Sequence, residues 1–340
     1  MLKPKEQAYN KMNNIQNSYK SVKCLRSEHT FAVLTEQWLQ SLKPQLKESS
    51  YMKYRNILDS YLIPEYGAID VAKFNRNEVT DFINVLLTEG GTKKSGLSPK
   101  TVTSIVSVLK NVLEYANNIK GYKTANLNGL TVKQSQPQMR ILSRYEQEKL
   151  SKHLCQNLSL RNLGILVCLY TGLRIGEICA LKWEDIIFDE QYLYVHKTMQ
   201  RIQVKEEDQP KTSILISSPK SPCSVRRIPI PNEVFQLLSD AKCSPDTYLL
   251  TGQKEMFIEP RTMQNHFKAT IKACNIDDAN FHSLRHTFAT RCIELGFDVK
   301  SLSEILGHAS VNITMNRYVH PSMELKQKNM NMLSDLLRAE

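Results

Sequence analysis

The segment from Gly121 to Pro137 divides the chain, because it is rich in Asn, Gln, Gly, Thr and Ser, which are typical of a linker. On both sides of it, apolar residues recur every three or four positions, as they do in helices. A chain of 340 residues is long enough to build two separate cores. We therefore predict a flexible arm at 1–28, a helical domain at 29–120, a linker at 121–138, a second domain at 139–320 and a C-terminal helix at 321–340.

The region before the linker is predicted to be helical throughout. Four helices are expected, from Thr30 to Leu42, from Glu48 to Leu62, from Asn77 to Leu87, and onward from Ser98 and Pro99. Pro64 and Gly67 are expected to end the second helix. Ser98 and Pro99 form a clear start signal, with serine as the cap and proline at the first helical position.

The fourth helix carries small hydroxyl groups and cations opposite its apolar stripe, among them Lys100, Thr101, Ser104 and Lys110. Such a face can come close to a DNA backbone. The charge distribution agrees, since residues 1–150 contain 22 Lys and Arg against 13 Asp and Glu, and residues 151–340 contain 23 against 21. A basic domain beside a nearly balanced one favours a polyanionic partner. An ordinary solvated face is the alternative explanation of the same helix pattern.

The region after the linker mixes helices with strands. Ser143 begins a capping-box pattern, and an apolar helix is expected from Leu160 to Thr171. Strands are expected at 191–204, 212–217 and 225–230, in one small antiparallel sheet. Helices follow at 233–241, 261–273, 282–295, 299–306, 312–318 and 322–337. The predicted fold class is therefore mainly α with a small antiparallel β-sheet (α+β).

The cysteine pattern and hydropathy exclude several classes of protein. The eight cysteines show no Cys-x-x-Cys spacing, which indicates reduced thiols rather than a disulfide framework or a zinc site. No apolar run is long enough to cross a bilayer, and we expect no membrane partner. The expected location is the cytoplasm.

Four polar residues between positions 282 and 318 indicate a phosphate site. His282 and Arg285 lie three apart and share one helix face, and His308 and Tyr318 follow. Cations, donors and a phenol with few carboxylates suit a phosphate group. His282 and His286 are also spaced like metal ligands, but Ser283 stands where a zinc protease has glutamate. We therefore predict no metal and no cofactor. His286 is expected to be structural, stacked or hydrogen-bonded beside the site.

Further motifs complete this pattern in a fixed order. They are Thr-Gly-Leu-Arg-Ile-Gly-Glu at 171–177, Lys220 in a loop, His282-x-x-Arg285, Leu-Gly-His308 and Tyr318. With these motifs, the chain resembles the tyrosine recombinases, or phage-type integrases, over about residues 30–335. The resemblance implies a SAM-like helical core-binding domain and a catalytic domain. It also implies an enzyme that cuts and rejoins DNA strands through a covalent 3′-phosphotyrosyl intermediate, for integration or excision of a mobile element or phage.

The phosphodiester chemistry explains these residue types. The phosphate under attack gains negative charge, which the planar forks of Arg174 and Arg285 can stabilise. Tyr318 is the expected nucleophile, His282 its proton acceptor, and His308 a hydrogen-bond donor to the phosphate.

Three supporting roles are also implied. Lys220, on a mobile β-hairpin loop, is expected to protonate the leaving 5′-oxygen. Glu177 is expected to orient Arg174 or a histidine. Arg226 is expected to contact the DNA backbone or an acidic neighbour.

The implied partners are double-stranded DNA, three further copies of the chain in a synaptic homotetramer, and an accessory DNA-bending or directionality protein. The C-terminal helix is expected to dock in a neighbouring subunit, with packing in its own subunit as the alternative. A catalytically silent DNA-binding protein of the same fold, a Xer-type chromosome dimer resolvase and a metal-dependent nuclease are the competing functions. Activity on chromosomal DNA implies association with the nucleoid.

Overall fold

A computed structural model describes residues 29–91, 95–134, 139–203, 212–219, 221–319, 327, 330 and 331. These residues are mostly helical, with two small antiparallel sheets, in agreement with the predicted fold class. By its internal contacts, the chain divides into one unit that ends at Pro137 and another that begins at Gln138. The predicted N-terminal arm and nearly all of the predicted C-terminal helix lie outside the described residues.

The N-terminal unit is built from helices around one apolar core. They are α1 (Phe31–Leu42), α2 (Glu48–Ile57), α3 (Ile63–Tyr66), α4 (Arg76–Thr88) and α5 (Pro99–Asn118). The apolar stripe of α5 is buried and packs against α1, α2 and α4. Ser98 caps α5 as predicted, since its hydroxyl accepts the backbone N–H of Thr101 at 3.2 Å.

The second predicted helix does not end before Pro64. The backbone N–H of Ile63 donates to the carbonyl of Leu58, five residues back, so that residues Leu58–Leu62 form a π-helical turn. Proline has no N–H to donate, and the wider turn allows the helical path to continue past it into α3. The path turns only at Gly67, the other residue predicted to stop it.

The helices of the C-terminal unit surround one buried helix. They are α6 (Arg144–Gln156), α7 (Leu160–Thr171), α8 (Ile175–Ala180), α9 (Asn232–Asp240), α10 (Pro260–Ala273), α11 (His282–Glu294), α12 (Val299–Leu306) and α13 (Val311–Tyr318). Helix α7 is apolar and buried, and α6, α9, α10 and α11 pack around it. In the part of the chain that the structure describes, no helix is long and apolar enough to cross a lipid bilayer.

The strands form two sheets rather than the single predicted sheet. Strands β1 (Ile186–Ile187), β2 (Tyr192–Val195) and β5 (Arg226–Pro229) form one sheet, and β3 (Thr198–Gln203) pairs with β4 (Thr212–Ser217) in the other. The predicted strand at 191–204 breaks at His196, whose Nε2 lies 2.7 Å from Oδ1 of the buried Asp185. Since β4 and β5 belong to different sheets, the loop that contains Lys220 is not a hairpin loop.

The cap at Ser98 generates a stability prediction. Ser98→Ala leaves the first turn of α5 without this acceptor, and we expect the free energy of unfolding to fall by about 1 kcal/mol. Urea titrations that follow the fluorescence of Trp38, in a Trp183→Phe background, measure the N-terminal unit. The matched control is Ser107→Ala, at an exposed position inside the same helix, where alanine has the better helix propensity. Equal losses in both variants would contradict a capping role.

Candidate active site

Two helix ends meet in the C-terminal unit, and each is followed by a glycine with positive φ. Gly172 follows α7 with φ +69°, and Gly307 follows α12 with φ +63°. A Cβ atom at Gly172 would lie 2.5 Å from Cδ1 of Phe288, so a larger residue there meets both backbone strain and a steric clash. The last carbonyls of a helix lack partners within the helix and carry partial negative charge. These two ends therefore offer acceptors to cations.

Arg285, near the start of α11, joins the two helix ends. Its Nη1 donates to the carbonyl of Gly172 at 2.8 Å, and its Nη2 donates to that of Leu306 at 2.7 Å. The side chain is buried. Burial and the neighbouring charge of Arg174 lower the pKa of Arg285 to about 9. The guanidinium is therefore still charged at neutral pH.

Arg174 and Arg226 approach the same site on either side of Glu177. Arg174 donates from Nη2 to the carbonyl of Gly307 at 3.1 Å and from Nη1 to Oε1 of Glu177 at 2.8 Å. Arg226 reaches both oxygens of Glu177, from Nη1 at 3.0 Å and from Nη2 at 2.9 Å. Its Nε donates to the carbonyl of Ile305 at 2.5 Å. The three arginines therefore lie around one carboxylate and two helix ends.

Glu177 is buried and remains ionised. Burial alone would raise its pKa, but the hydrogen bonds and charge of Arg226, together with Arg174, hold the pKa of Glu177 at about 2. One carboxylate therefore faces three guanidinium groups, counting Arg285. This excess of positive charge suits an anion, and Arg174 is the most accessible of the three, with 34% of its side chain exposed.

His308 is neutral in the free protein, and its neighbours determine its tautomer. Its Nε2 lies 3.0 Å from Nη2 of Arg285, which can only donate, so Nε2 is an acceptor. The proton is therefore on Nδ1, which lies 2.8 Å from Oγ1 of the buried Thr314. Burial, followed by the charges of Arg285 and Arg174, lowers the pKa of His308 to about 3.

Tyr318, the last residue of α13, is buried beside these groups. Its hydroxyl oxygen lies 2.9 Å from Nδ1 of His286, and its ring is stacked with that of His308. Burial raises the pKa of Tyr318, although Arg285 and Arg317 act in the opposite direction. The phenol is therefore protonated at neutral pH and needs a proton acceptor before it can attack.

His282 stands at the open edge of the site, with its ring perpendicular to that of His286 at a centroid distance of 4.4 Å. One side of this ring packs against the protein and is shielded from water. This desolvation, together with the charges of Arg285 and Arg317, lowers the pKa of His282 to about 4. The structure thus brings together five predicted catalytic residues, which are Arg174, His282, Arg285, His308 and Tyr318.

Lys220 lies outside the described residues, but the chain on its C-terminal side approaches the site. A Cβ atom at Gly307 would lie 3.0 Å from the carbonyl oxygen of Cys223 and 3.1 Å from Cδ of Arg226. The loop therefore packs against the residue whose carbonyl receives Arg174.

Two residues have contacts that make their predicted surroundings more specific. Arg226, predicted to contact DNA or an acidic neighbour, is buried, and its guanidinium binds Glu177 and Ile305. Its position favours the acidic neighbour and corrects the DNA-contact assignment. His286, expected to be stacked or hydrogen-bonded beside the site, lies with Nδ1 2.9 Å from the hydroxyl oxygen of Tyr318. The only signal for it in the sequence was its i, i+4 spacing from His282.

The predicted DNA face of α5 is partly used inside its own unit. Lys100 is exposed, whereas Nζ of Lys110 donates to the carbonyl of Leu130 at 2.8 Å. The hydroxyl groups of Thr101 and Ser104 bond Ser98 and the carbonyl of Lys100. DNA contact by this face stays a prediction.

The described residues contain no group of three or more His, Cys, Asp or Glu side chains placed to hold a metal ion. His282 and His286 have the spacing of metal ligands, but Nδ1 of His286 is hydrogen-bonded to the hydroxyl group of Tyr318.

Two family models match the sequence. The model described as the phage integrase family matches residues 140–324, and that of the phage integrase N-terminal SAM-like domain matches residues 30–87. A tyrosine recombinase XerC-like protein of Caldanaerobacter subterraneus subsp. tengcongensis is 25% identical, over 90% of this chain and 83% of its own length. The ICEBs1 integrase of Bacillus subtilis is also 25% identical, over 91% of this chain and 83% of its own.

Solved structures show the same fold at lower identity. The Tn1549 transposon integrase in complex with a circular intermediate DNA has a TM-score of 0.73 and 19% identity, over 90% of this chain and 99% of its own. The lambda integrase tetramer bound to a Holliday junction has a TM-score of 0.61 and 16% identity, over 86% of this chain and 79% of its own.

The buried carboxylate generates a prediction about pH. The pKa of Glu177 is about 2 in the folded chain against 4.5 unperturbed, so its stabilising contribution is complete above pH 4.5 and is lost as the pH falls toward 2. Glu177→Gln should lower the free energy of unfolding at pH 7 by about 3 kcal/mol and remove this acid-dependent loss. Urea titrations followed by Trp183 fluorescence at several pH values measure both effects.

Glu184→Gln is the control, because that side chain is 48% exposed and lies 3.8 Å from Lys197. An exposed pair of this kind contributes at most about 1 kcal/mol. If both variants keep the pH dependence of the wild type, Glu177 is not the group responsible.

Proposed function

The chain belongs to the phage integrase family and is a tyrosine-type site-specific DNA recombinase, and we propose that Tyr318 is its nucleophile. The observation that carries this proposal is the placement of the Tyr318 hydroxyl beside three guanidinium groups that one carboxylate compensates only in part. These groups come from three separate parts of the chain. Such an arrangement suits a phosphodiester that gains negative charge as a phenol attacks it.

Attack by Tyr318 would form a bond from its Oη to phosphorus and release the 5′-oxygen of the next nucleotide, leaving a 3′-phosphotyrosyl link. The N–H groups of Arg174 and Arg285 would bind the non-bridging oxygens, where bidentate guanidinium contacts are strong. His308 and His282 border the same space. Because the covalent link retains the bond energy, the strands can be resealed without ATP.

Lys220 is the proposed proton donor to the leaving 5′-oxygen. Its support is the family motif and the close approach of the following loop to Gly307. Glu177 is the proposed positioning residue for Arg174, since its carboxylate binds both the side chain and the backbone N–H of that arginine.

The proposed substrate is double-stranded DNA of a mobile element, in integration or excision. The support is that relatives include the ICEBs1 integrase and the transposase from transposon Tn916, and that the Tn1549 integrase was solved on a circular intermediate DNA. Chromosome dimer resolution is the second candidate, because a XerC-like recombinase is equally similar. A catalytically silent protein is disfavoured by the five residues that meet in one site.

The proposed assembly is a homotetramer in the synaptic complex, by analogy with lambda integrase on a Holliday junction. We also propose an accessory DNA-bending or directionality protein, docking of the C-terminal helix in the neighbouring subunit, and association with the nucleoid in the cytoplasm. Lys100, Thr101, Ser104 and Lys110 remain proposed DNA contacts in the N-terminal unit.

The nucleophile is tested with a suicide DNA substrate. Duplexes bound by the chain are selected from a random library and nicked at successive positions, so that cleavage releases a short fragment and traps the adduct. The wild type should give a covalent adduct on denaturing gels in EDTA, and Tyr318→Phe should give none, because phenylalanine has no nucleophilic oxygen. An undiminished adduct in that variant removes Tyr318 from the role, and loss of cleavage in EDTA favours a metal-dependent nuclease.

Arg174 offers the cleaner arginine test, because Arg285 also holds two helix ends together. Arg174→Ala should lower the cleavage rate by about 100-fold or more, with little change in DNA affinity, since transition-state charge is lost. Single-turnover cleavage and gel-shift titrations separate the two quantities. The control is Arg227→Ala, an exposed neighbour stacked on Tyr192 in the same unit. Equal losses of affinity and rate would make Arg174 a binding residue only.

A further inference from the structure

The hydroxyl group of the proposed nucleophile is bound by a histidine that the motifs did not assign. Tyr318 Oη and His286 Nδ1 are 2.9 Å apart, and the two rings are 5.8 Å apart between centroids. The residues come from α13 and α11, which pack against each other. Nδ1 of His286 is therefore already within proton-transfer distance of the reacting oxygen.

The donor and acceptor roles in this pair follow from the protonation states of the two groups. Burial raises the pKa of Tyr318, so its phenol carries the proton at neutral pH and can donate it. The hydrogen-bond partner of this hydroxyl is Nδ1 of His286, at 2.9 Å. Nδ1 of a neutral histidine whose proton is on Nε2 is an acceptor.

We propose that His286, rather than His282, accepts the hydroxyl proton of Tyr318 when the phenol attacks DNA. The inference rests on the proposed function. In this step the Oη–H bond breaks and the proton moves to Nδ1, while the Oη–P bond forms and the P–O5′ bond breaks. The leaving 5′-oxygen takes a proton from a separate donor, for which Lys220 is proposed. Religation reverses each transfer, and His286 returns its proton to Tyr318.

The charges around His286 change its basicity when DNA binds. Burial, His282 on the preceding turn, Arg317 on α13 and Arg285 on α11 lower the pKa of His286 to about 4. In the free protein its lone pair is therefore available at neutral pH. A bound phosphate opposes the positive charge of the arginines and raises the pKa of His286. The acceptor thus becomes a stronger base when the substrate is in place.

Three variants separate proton transfer from packing and positioning. His286→Asn keeps a polar acceptor near the position of Nδ1 but takes no proton at neutral pH. His286→Phe keeps a ring without an acceptor. His282→Asn, one turn earlier on the same helix, tests the alternative proton acceptor. Each full-length variant is compared with the wild type on the selected nicked duplex, and its thermal unfolding and gel-shift affinity are measured in parallel.

Cleavage by the wild type should rise with pH and reach a plateau above the pKa of His286 in the complex. His286→Asn should cleave at least about 100-fold more slowly at pH 7 and should rise with pH without that plateau, because hydroxide must replace the lost base. His282→Asn should keep the plateau. If His286→Asn stays within about threefold of the wild type with the same profile, or if only His282→Asn loses the plateau, the proposal is overturned.

A sulfur leaving group shows which proton transfer is affected. A 5′-bridging phosphorothiolate needs no proton on its leaving atom, so it should restore cleavage by Lys220→Ala. It should not restore His286→Asn, whose defect is at the nucleophile. Restoration of His286→Asn by this substrate would assign His286 to the leaving group instead and overturn the proposal.

A measurement without DNA keeps this inference separate from the proposed function. In protein labelled with 15N-histidine, Tyr318→Phe should shift the His286 Nδ1 signal, because the hydrogen bond is lost, and should leave the His266 signal unchanged. An unchanged His286 signal would remove the contact and with it the inference, whether or not Tyr318 forms an adduct. If the signal shifts but the wild type forms no adduct, the proposed function has failed and the proton-acceptor role fails with it.

Discussion

Arginine side chains donate hydrogen bonds to the carbonyl ends of two helices, and these bonds hold the candidate active site together. Helices α7 and α12 both end in buried surroundings, where unpaired carbonyls are costly. Arg285 bonds the carbonyls of Gly172 and Leu306, and Arg174 bonds that of Gly307. The same groups are therefore structural cations in the free chain and proposed phosphate ligands in the complex. The contacts of Arg285 use three of its five N–H groups, so both roles are chemically compatible.

Glu177 makes this arrangement possible. Without it, Arg174 and Arg226 would repel each other across a small volume with little water. Its carboxylate accepts from both terminal nitrogens of Arg226, from Nη1 of Arg174 and from the backbone N–H of Arg174 at the start of α8. A second carboxylate would lower the excess positive charge of the three arginines from two to one and compete with a phosphate. A single buried acid is thus enough to fix two arginines and still leave the site cationic.

Features encoded in short stretches of sequence were predictable. The cap at Ser98, the capping box at Ser143 and the end of α7 at Gly172 depend on neighbours within four residues, and the structure confirms them. The passage of the helix past Pro64 was not predictable from local rules, because it depends on a π-helical turn. The two-sheet arrangement was missed for a similar reason, since the break at His196 depends on the buried Asp185, eleven residues earlier.

The residues of the candidate active site also differ in how far the sequence predicts them. The motifs identified Arg174, His282, Arg285, His308 and Tyr318, because each stands in a recognisable local pattern. Arg226 and His286 gave no comparable signal, since their partners are 49 and 32 residues away in the chain.

The charges around the site favour an anion. The low pKa values of His282, His286 and His308 share two causes, burial and neighbouring guanidinium groups. A phosphate would oppose the charge of the guanidinium groups but not the burial, so all three imidazoles would become more basic together.

For His308, phosphate binding would also change the hydrogen bonds of the ring. Its Nε2 accepts from Arg285 in the free chain, and it can donate to a phosphate only after it gains a proton or exchanges tautomers with the help of Thr314. Since Thr314 lies one turn before Tyr318 on α13, the hydrogen bonding of His308 is coupled to the helix that carries the proposed nucleophile. Substrate charge, histidine protonation and tyrosine placement are thus linked through contacts that already exist before DNA binds.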